Sequence, residues 1–151
     1  MKRQTGFTLI ELMVVIAILG IMAATGIGFQ QKYRERTIGS EAMMMMKQIL
    51  EAEIIYFLEH EDFFPKWGDA AIWVYNDGNP PSANDQQRAL NALKVTLPTG
   101  HLLDFNVYRT GDGSPATVDI YSAANFNLFP GTPRIRGTVD QEGKIMGPYA
   151  F

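Results

Sequence analysis

From Phe7 to Phe29, 17 of 23 residues are hydrophobic, against 46% for the whole 151-residue chain. As a helix, such a segment extends about 35 Å, enough to cross a hydrocarbon core of ~30 Å. Its apolar content exceeds the stripe of an ordinary amphipathic helix, which argues against a soluble core helix. Met1 to Gly6 form a short polar leader that carries Lys2 and Arg3 and no acid. Lys32, Arg34 and Arg36 follow the apolar segment closely, so charge bias alone orients it poorly. Two simple readings remain: a retained membrane anchor, and a cleaved signal peptide with Met22-Ala23-Ala24 as a loose cleavage site.

Glu11 fits neither reading well. A lone carboxylate in a lipid-facing helix costs about 2 to 3 kcal/mol and is a functional-site hypothesis by default. Phe7 to Phe29 contain no Lys, Arg or His, so an ion pair within the span is excluded. The remaining cation is a free α-amino group, created if the chain is cut before Phe7.

Gly6-Phe7-Thr8-Leu9-Ile10-Glu11, followed by the apolar run to Ile21 and preceded by a short basic leader, resembles the class III signal of type IV pilins and type II secretion pseudopilins. The resemblance is close over about the first 25 residues and looser to about Pro65. It implies cleavage between Gly6 and Phe7 by a prepilin peptidase and N-methylation of the new Phe7 amine. The apolar helix is retained, and Glu11 pairs with the Phe7 amine of a neighbouring subunit during filament assembly. The implied partners are further copies of the chain, the peptidase, membrane lipid before assembly, an inner-membrane assembly platform and a cytoplasmic ATPase. The implied location is the bacterial inner membrane first, then a surface filament or periplasmic pseudopilus. Loss of Lys2 and Arg3 leaves 11 basic and 16 acidic side chains, a net charge of −5.

Many pilins carry proline where this chain has Gly28. Gly20, Gly26 and Gly28 instead interrupt the second half of the span, each costing a helix interior about 1 kcal/mol relative to alanine. Family filaments lose regular helix here, so local melting is expected between Gly20 and Phe29; close helix packing through small residues is the alternative use of glycine.

Beyond Gln30 the chain turns polar, but Ile38, Ala42, Met45, Ile49, Ala52 and Tyr56 continue a helical stripe. Met46, Leu50, Ile54 and Phe57 or Leu58 widen it. The helix is expected to end at Phe63-Phe64-Pro65, because proline disfavours helical geometry in the residue before it. Met43 to Met46 spread around about 300° of a helix axis, so at least one should meet solvent or another subunit. Adaptable packing fits them better than a metal site. Glu59-His60-Glu61-Asp62 reads as a solvated, charged helix end, with His101 too distant in sequence to support a metal assignment.

After Pro65 the pattern breaks into short pieces. Ile72 to Tyr75 suit a short strand or turn, and Asn76 to Asp85 a loop whose oxygens offer calcium donors without EF-hand spacing. Asn84 or Asp85 is expected to cap a helix to Leu93 or Lys94. Leu102–Thr110 with Thr117–Ala123, and Pro133–Val139 with Lys144–Met146, read as two hairpins, with Phe105, Val107 and Arg109 on one face and Tyr108 on the other. Phe63, Phe64, Trp67 and Trp73 are expected in the core.

The expected fold is therefore α+β. A long hydrophobic helix forms the handle of a ladle, and its C-terminal half packs against an antiparallel sheet of about four strands. The segments are a leader at 1–6, a membrane and polymerisation helix at 7–29, an amphipathic helix at 30–64 and a loop-and-sheet region at 65–151.

The net charge of −3 leaves no electrostatic footprint for nucleic acid. No catalytic constellation, resident cofactor or metal motif stands out; Gly111-Asp112-Gly113 is too short for a phosphate loop. With no cysteine there is no disulfide. Most type IV pilins close their C-terminal region with one, whereas major pseudopilins often lack it; yet the aspartate-proline-tryptophan-glycine element common in those pseudopilins is not evident. The leading function is a type IV pilin-like filament subunit. The alternatives are a type II secretion pseudopilin and, in a different class, a membrane-anchored monomeric binding module.

Overall fold

The computed structural model describes residues 6–76, 83–123, 126–129 and 131–150. The chain divides into two compact units, Met1–Arg34 and Glu35–Phe151. Helix α1, Leu9–His60, contributes to both.

In the first unit every side chain described from Gly6 to Gln30 is exposed. The helix is continuous through Gly20, Gly26 and Gly28 in the single chain. Melting at these glycines was expected of a polymer and stays a proposal about that state. Thr25 is the one hydroxyl in the second half of the span, and it donates to the carbonyls of Ile21 and Met22 at 3.3 and 3.0 Å. Its polar group is thus satisfied within the helix, as an apolar environment demands.

In the second unit, β1 (Ile72–Val74), β2 (Leu103–Arg109), β3 (Ala116–Ser122), β4 (Arg134–Val139) and β5 (Ile145–Ala150) form one antiparallel sheet in chain order. The expected two hairpins are present. The sheet has five strands rather than four, because Ile72, Trp73 and Val74 pair with Val107, Asn106 and Phe105. β5 also runs four residues beyond Met146. Helix α2 spans Ala83–Leu93, so Asn84 and Asp85 lie in its first turn rather than capping it.

One sheet face supplies the core. Phe105, Ile120 and Ile135 align in register, as do Val107, Val118 and Gly137. Against them α1 buries Ile38, Ala42, Met46, Ile49, Leu50, Ala52 and Tyr56. The buried stripe passes through Met46, with Met45 only partly covered, and Leu58 is exposed while Phe57 stacks on Phe63. Of the aromatics expected in the core, Phe63 and Phe64 are buried, Trp67 is exposed, and Trp73 stacks with Tyr75 on the opposite face.

Gly137 permits the close approach of helix to sheet. A Cβ there would lie 2.7 Å from Met46 Sδ and 2.8 Å from Leu50 Cδ1, and both side chains are held in the core. Gly137→Ala is expected to lower stability by about 1 to 3 kcal/mol, measurable as a shift of the denaturant midpoint with unchanged slope.

α1 stops at His60, before Phe63-Phe64-Pro65. Glu61 adopts a left-handed backbone (φ 56°) and its N–H donates to Phe57 O at 2.8 Å, which closes the helix as an αL cap. Lys94 ends α2 in the same way, donating to Leu90 O.

Candidate assembly site

The first candidate site is the start of α1. Thr8 stands just before the first helical residue, and its side chain accepts from the Glu11 N–H at 3.3 Å. Glu11 reaches back: its Oε2 accepts from both the Thr8 N–H and the Thr8 hydroxyl at 2.8 Å. Thr8-Leu9-Ile10-Glu11 is thus a capping box, in which two otherwise unpaired N–H groups of a helix start are satisfied reciprocally. The S/T-x-x-E spacing of Thr8 and Glu11 is the sequence signal of this nearer partner for the carboxylate. Both reach-back bonds fall on one carboxylate oxygen. Phe7 is 78% exposed, and Leu9–Gly26 form a helix long and apolar enough to span a membrane by length and composition.

The structure therefore brings Phe7, Thr8 and Glu11 together at one helix end. Residues 1–27, which include these three, match the family model described as the prokaryotic N-terminal methylation motif. The amino-terminal segment carries that motif, and the chain is similar to type IV pilins. The chain is 45% identical over 60 residues to a fimbrial protein of Neisseria meningitidis, covering 40% of this chain and 35% of that one. To the type IV major pilin protein PilA of Myxococcus xanthus it is 43% identical over 61 residues, 40% and 28% of the two chains. A longer match, 36% over 85 residues, joins it to the type IV major fimbrial protein FimA of Dichelobacter nodosus, covering 54% and 52%. The matched region thus spans between 28% and 52% of the length of these relatives. No solved structure gives a significant match.

The second unit, Glu35–Phe151, carries buried polar groups that sequence pattern did not single out. Glu53 is wholly buried; its Oε2 accepts from the Phe64 N–H at 2.9 Å, and its Oε1 has no hydrogen-bond partner among the described residues. Burial pushes its carboxyl up to about 8, against a smaller opposing effect of the Phe64 hydrogen bond and nearby Arg109. Arg109, on the core-facing side of β2, pairs with Asp62 just beyond α1, and Asp62 also accepts from the Phe63 N–H at 2.9 Å. The expected solvated helix end is therefore tied to the sheet. A carboxylate at 53, four residues after Ile49 and three before Tyr56, was the available signal.

On the other sheet face Asp119 is buried and accepts from Arg136 Nε and a second guanidinium nitrogen at 2.7 and 2.8 Å, and from the Tyr108 and Tyr121 hydroxyls at 3.2 Å. Such a bidentate pair satisfies the charge within the sheet. Burial, followed by the Asp119 charge, raises both phenols. His60 stacks on Tyr56, and His101 pairs with Glu41 at 3.1 Å, so the two histidines make separate contacts. No group of three His, Cys, Asp or Glu suited to a metal occurs among the described residues. The calcium expectation falls mainly on residues 77–82, outside the described residues. At the loop ends, Asn76 donates to the Pro98 and Leu103 carbonyls and Asp85 pairs with Arg88.

Proposed function

We propose that the chain is a prepilin, cut between Gly6 and Phe7, methylated on the Phe7 amine, and polymerised through its apolar helix into a surface filament. The observation that carries this reading is the methylation motif over residues 1–27 coinciding with a helix whose described side chains from Leu9 to Gly26 are all exposed. Exposed apolar area on that scale needs lipid before assembly and other subunits after it. Glu11 offers the oxygen that Thr8 does not use, Oε1, to the Phe7 ammonium of the next copy. That pairing compensates its charge once water is gone. Membrane insertion precedes polymerisation, and extension is driven by an assembly platform and ATPase acting on the inner membrane.

Mass spectrometry of the protein purified from its natural host tests the processing step. The expected species begins at Phe7 and carries one methyl group. An intact Met1 terminus would overturn the prepilin reading and favour the monomeric anchored module. The absence of cysteine supports a second reading, a pseudopilin of a type II secretion system; the relatives named fimbrial and major pilin proteins favour the pilus. Deletion of the gene separates the two: loss of long surface filaments marks a pilus, and retention of an exported enzyme inside the cell marks secretion.

A further inference from the structure

We propose that an apolar groove between α1 and β5 seats the amino-terminal helix of a second copy of the chain; this rests on the filament reading above. The groove has a volume of about 470 Å³ and is walled by Met43, Met44, Met46 and Leu50 of α1 and by Ile145 and Pro148 of β5. The methionine run thus divides its work. Met46 fills the core at 2% exposure, whereas Met43 and Met44 stand 41% and 71% exposed at the groove. Two exposed, adjacent thioethers contribute little to the fold of a monomer, but they make an adaptable apolar surface for a partner.

Two polar side chains border the groove, and both have partners. The Ser40 hydroxyl donates to the Arg36 carbonyl at 2.9 Å, and the Lys47 ammonium lies 3.6 Å from Glu51. Lys47 is 72% exposed, so its ammonium can stay in water beside an apolar occupant seated on the methionines. The edge strand also decides the kind of occupant. Pro148 has no N–H, and Gly147 beside it has a positive φ (107°), so this stretch of β5 is a poor template for an added strand. A helix laid side chain first into the groove meets neither obstacle. Each copy carries such a helix, Leu9–Gly26, exposed along its whole length within its own chain. Groove and helix are different surfaces of the same chain, so their contact is heterologous. Repeated head to tail, a heterologous contact that does not close on itself builds a helical filament.

The chain has no cysteine, so any disulfide reports an engineered pair. Full-length Met44→Cys is co-expressed with a differently tagged copy bearing a single cysteine at Ile16, Ile18, Leu19 or Ile21, and surface filaments are oxidised. The expected result is a mixed disulfide dimer at one or two of the four helix positions. Filaments seen by electron microscopy without a mixed dimer from any position would overturn the groove assignment and leave the filament reading standing. Failure of the unmodified chain to form filaments would overturn both. In parallel, Met44→Lys is expected to lower filament yield at least tenfold with an unchanged melting temperature, while Met44→Leu retains it. Wild-type yield from Met44→Lys would overturn the proposal, as would filling of the groove by lipid in assembled filaments.

Discussion

Glu11→Ala is expected to abolish filaments while the Glu35–Phe151 unit melts at the wild-type temperature. Removing one member of a buried ion pair leaves the other uncompensated and costs about 3 to 5 kcal/mol, or on the order of a hundredfold or more per subunit contact. Alanine, however, removes two things at once, because Glu11 also closes the capping box with Thr8. Glu11→Gln separates them. Glutamine still reaches back to the Thr8 N–H but carries no charge. If the intersubunit charge pair sets assembly, Glu11→Gln fails as completely as Glu11→Ala. Normal filaments from Glu11→Gln, counted by electron microscopy, would show that the helix cap alone is required and would sink the proposed pairing with the Phe7 amine.

The second large effect is pH-dependent and lies in the other unit. Glu53 has a folded-state carboxyl pushed up to about 8 by burial, far above the ordinary ~4.3 of an unfolded chain. The folded state therefore holds this proton more tightly than the unfolded state. Its contribution is fully present below about pH 4.5 and is lost as pH rises through 8. Between pH 6 and pH 9 the loss from this group is about 2 to 3 kcal/mol. Glu53→Gln keeps an oxygen to accept from the Phe64 N–H and cannot ionise, so its stability should stay nearly level over that range. Urea unfolding at both pH values measures this directly, and parallel profiles for wild type and variant would refute the assignment to Glu53. Arg109 and Asp62 act on the same carboxyl with opposite sign, which makes Asp62→Asn a useful companion: removing the charge that raises the Glu53 carboxyl should bring the alkaline loss on at lower pH.

Much of this architecture is legible in residue order because its causes are local. The hydrophobic run, the 3.6-residue stripe from Ile38 to Tyr56 and the glycine-bearing turns at 111–115 and 140–143 each express a preference of a few neighbouring residues. The capping box at Thr8 and Glu11 is equally local and was open to the same reading. What residue order left open or did not show had a different origin. Ile72–Val74 is too short to declare itself and becomes a strand only by pairing with β2, 30 or so residues onward. The helix ends at Glu61 through its own left-handed backbone, before proline can act. Leu58, equivalent to Phe57 by composition, faces away because Phe63 folds back to stack on Phe57.

Residue order by itself determined the apolar helix, the lone carboxylate within it and the N-terminal methylation motif over residues 1–27, since helix length, charge cost and a short motif all rest on contiguous residues. The tertiary structure decided which methionine enters the core, which two face the groove beside β5, and that Glu53 sits buried against the Phe64 backbone. Those outcomes depend on where the sheet lies along α1, set by the gap at Gly137 and by long-range strand pairing, and no window of neighbouring residues contains that information.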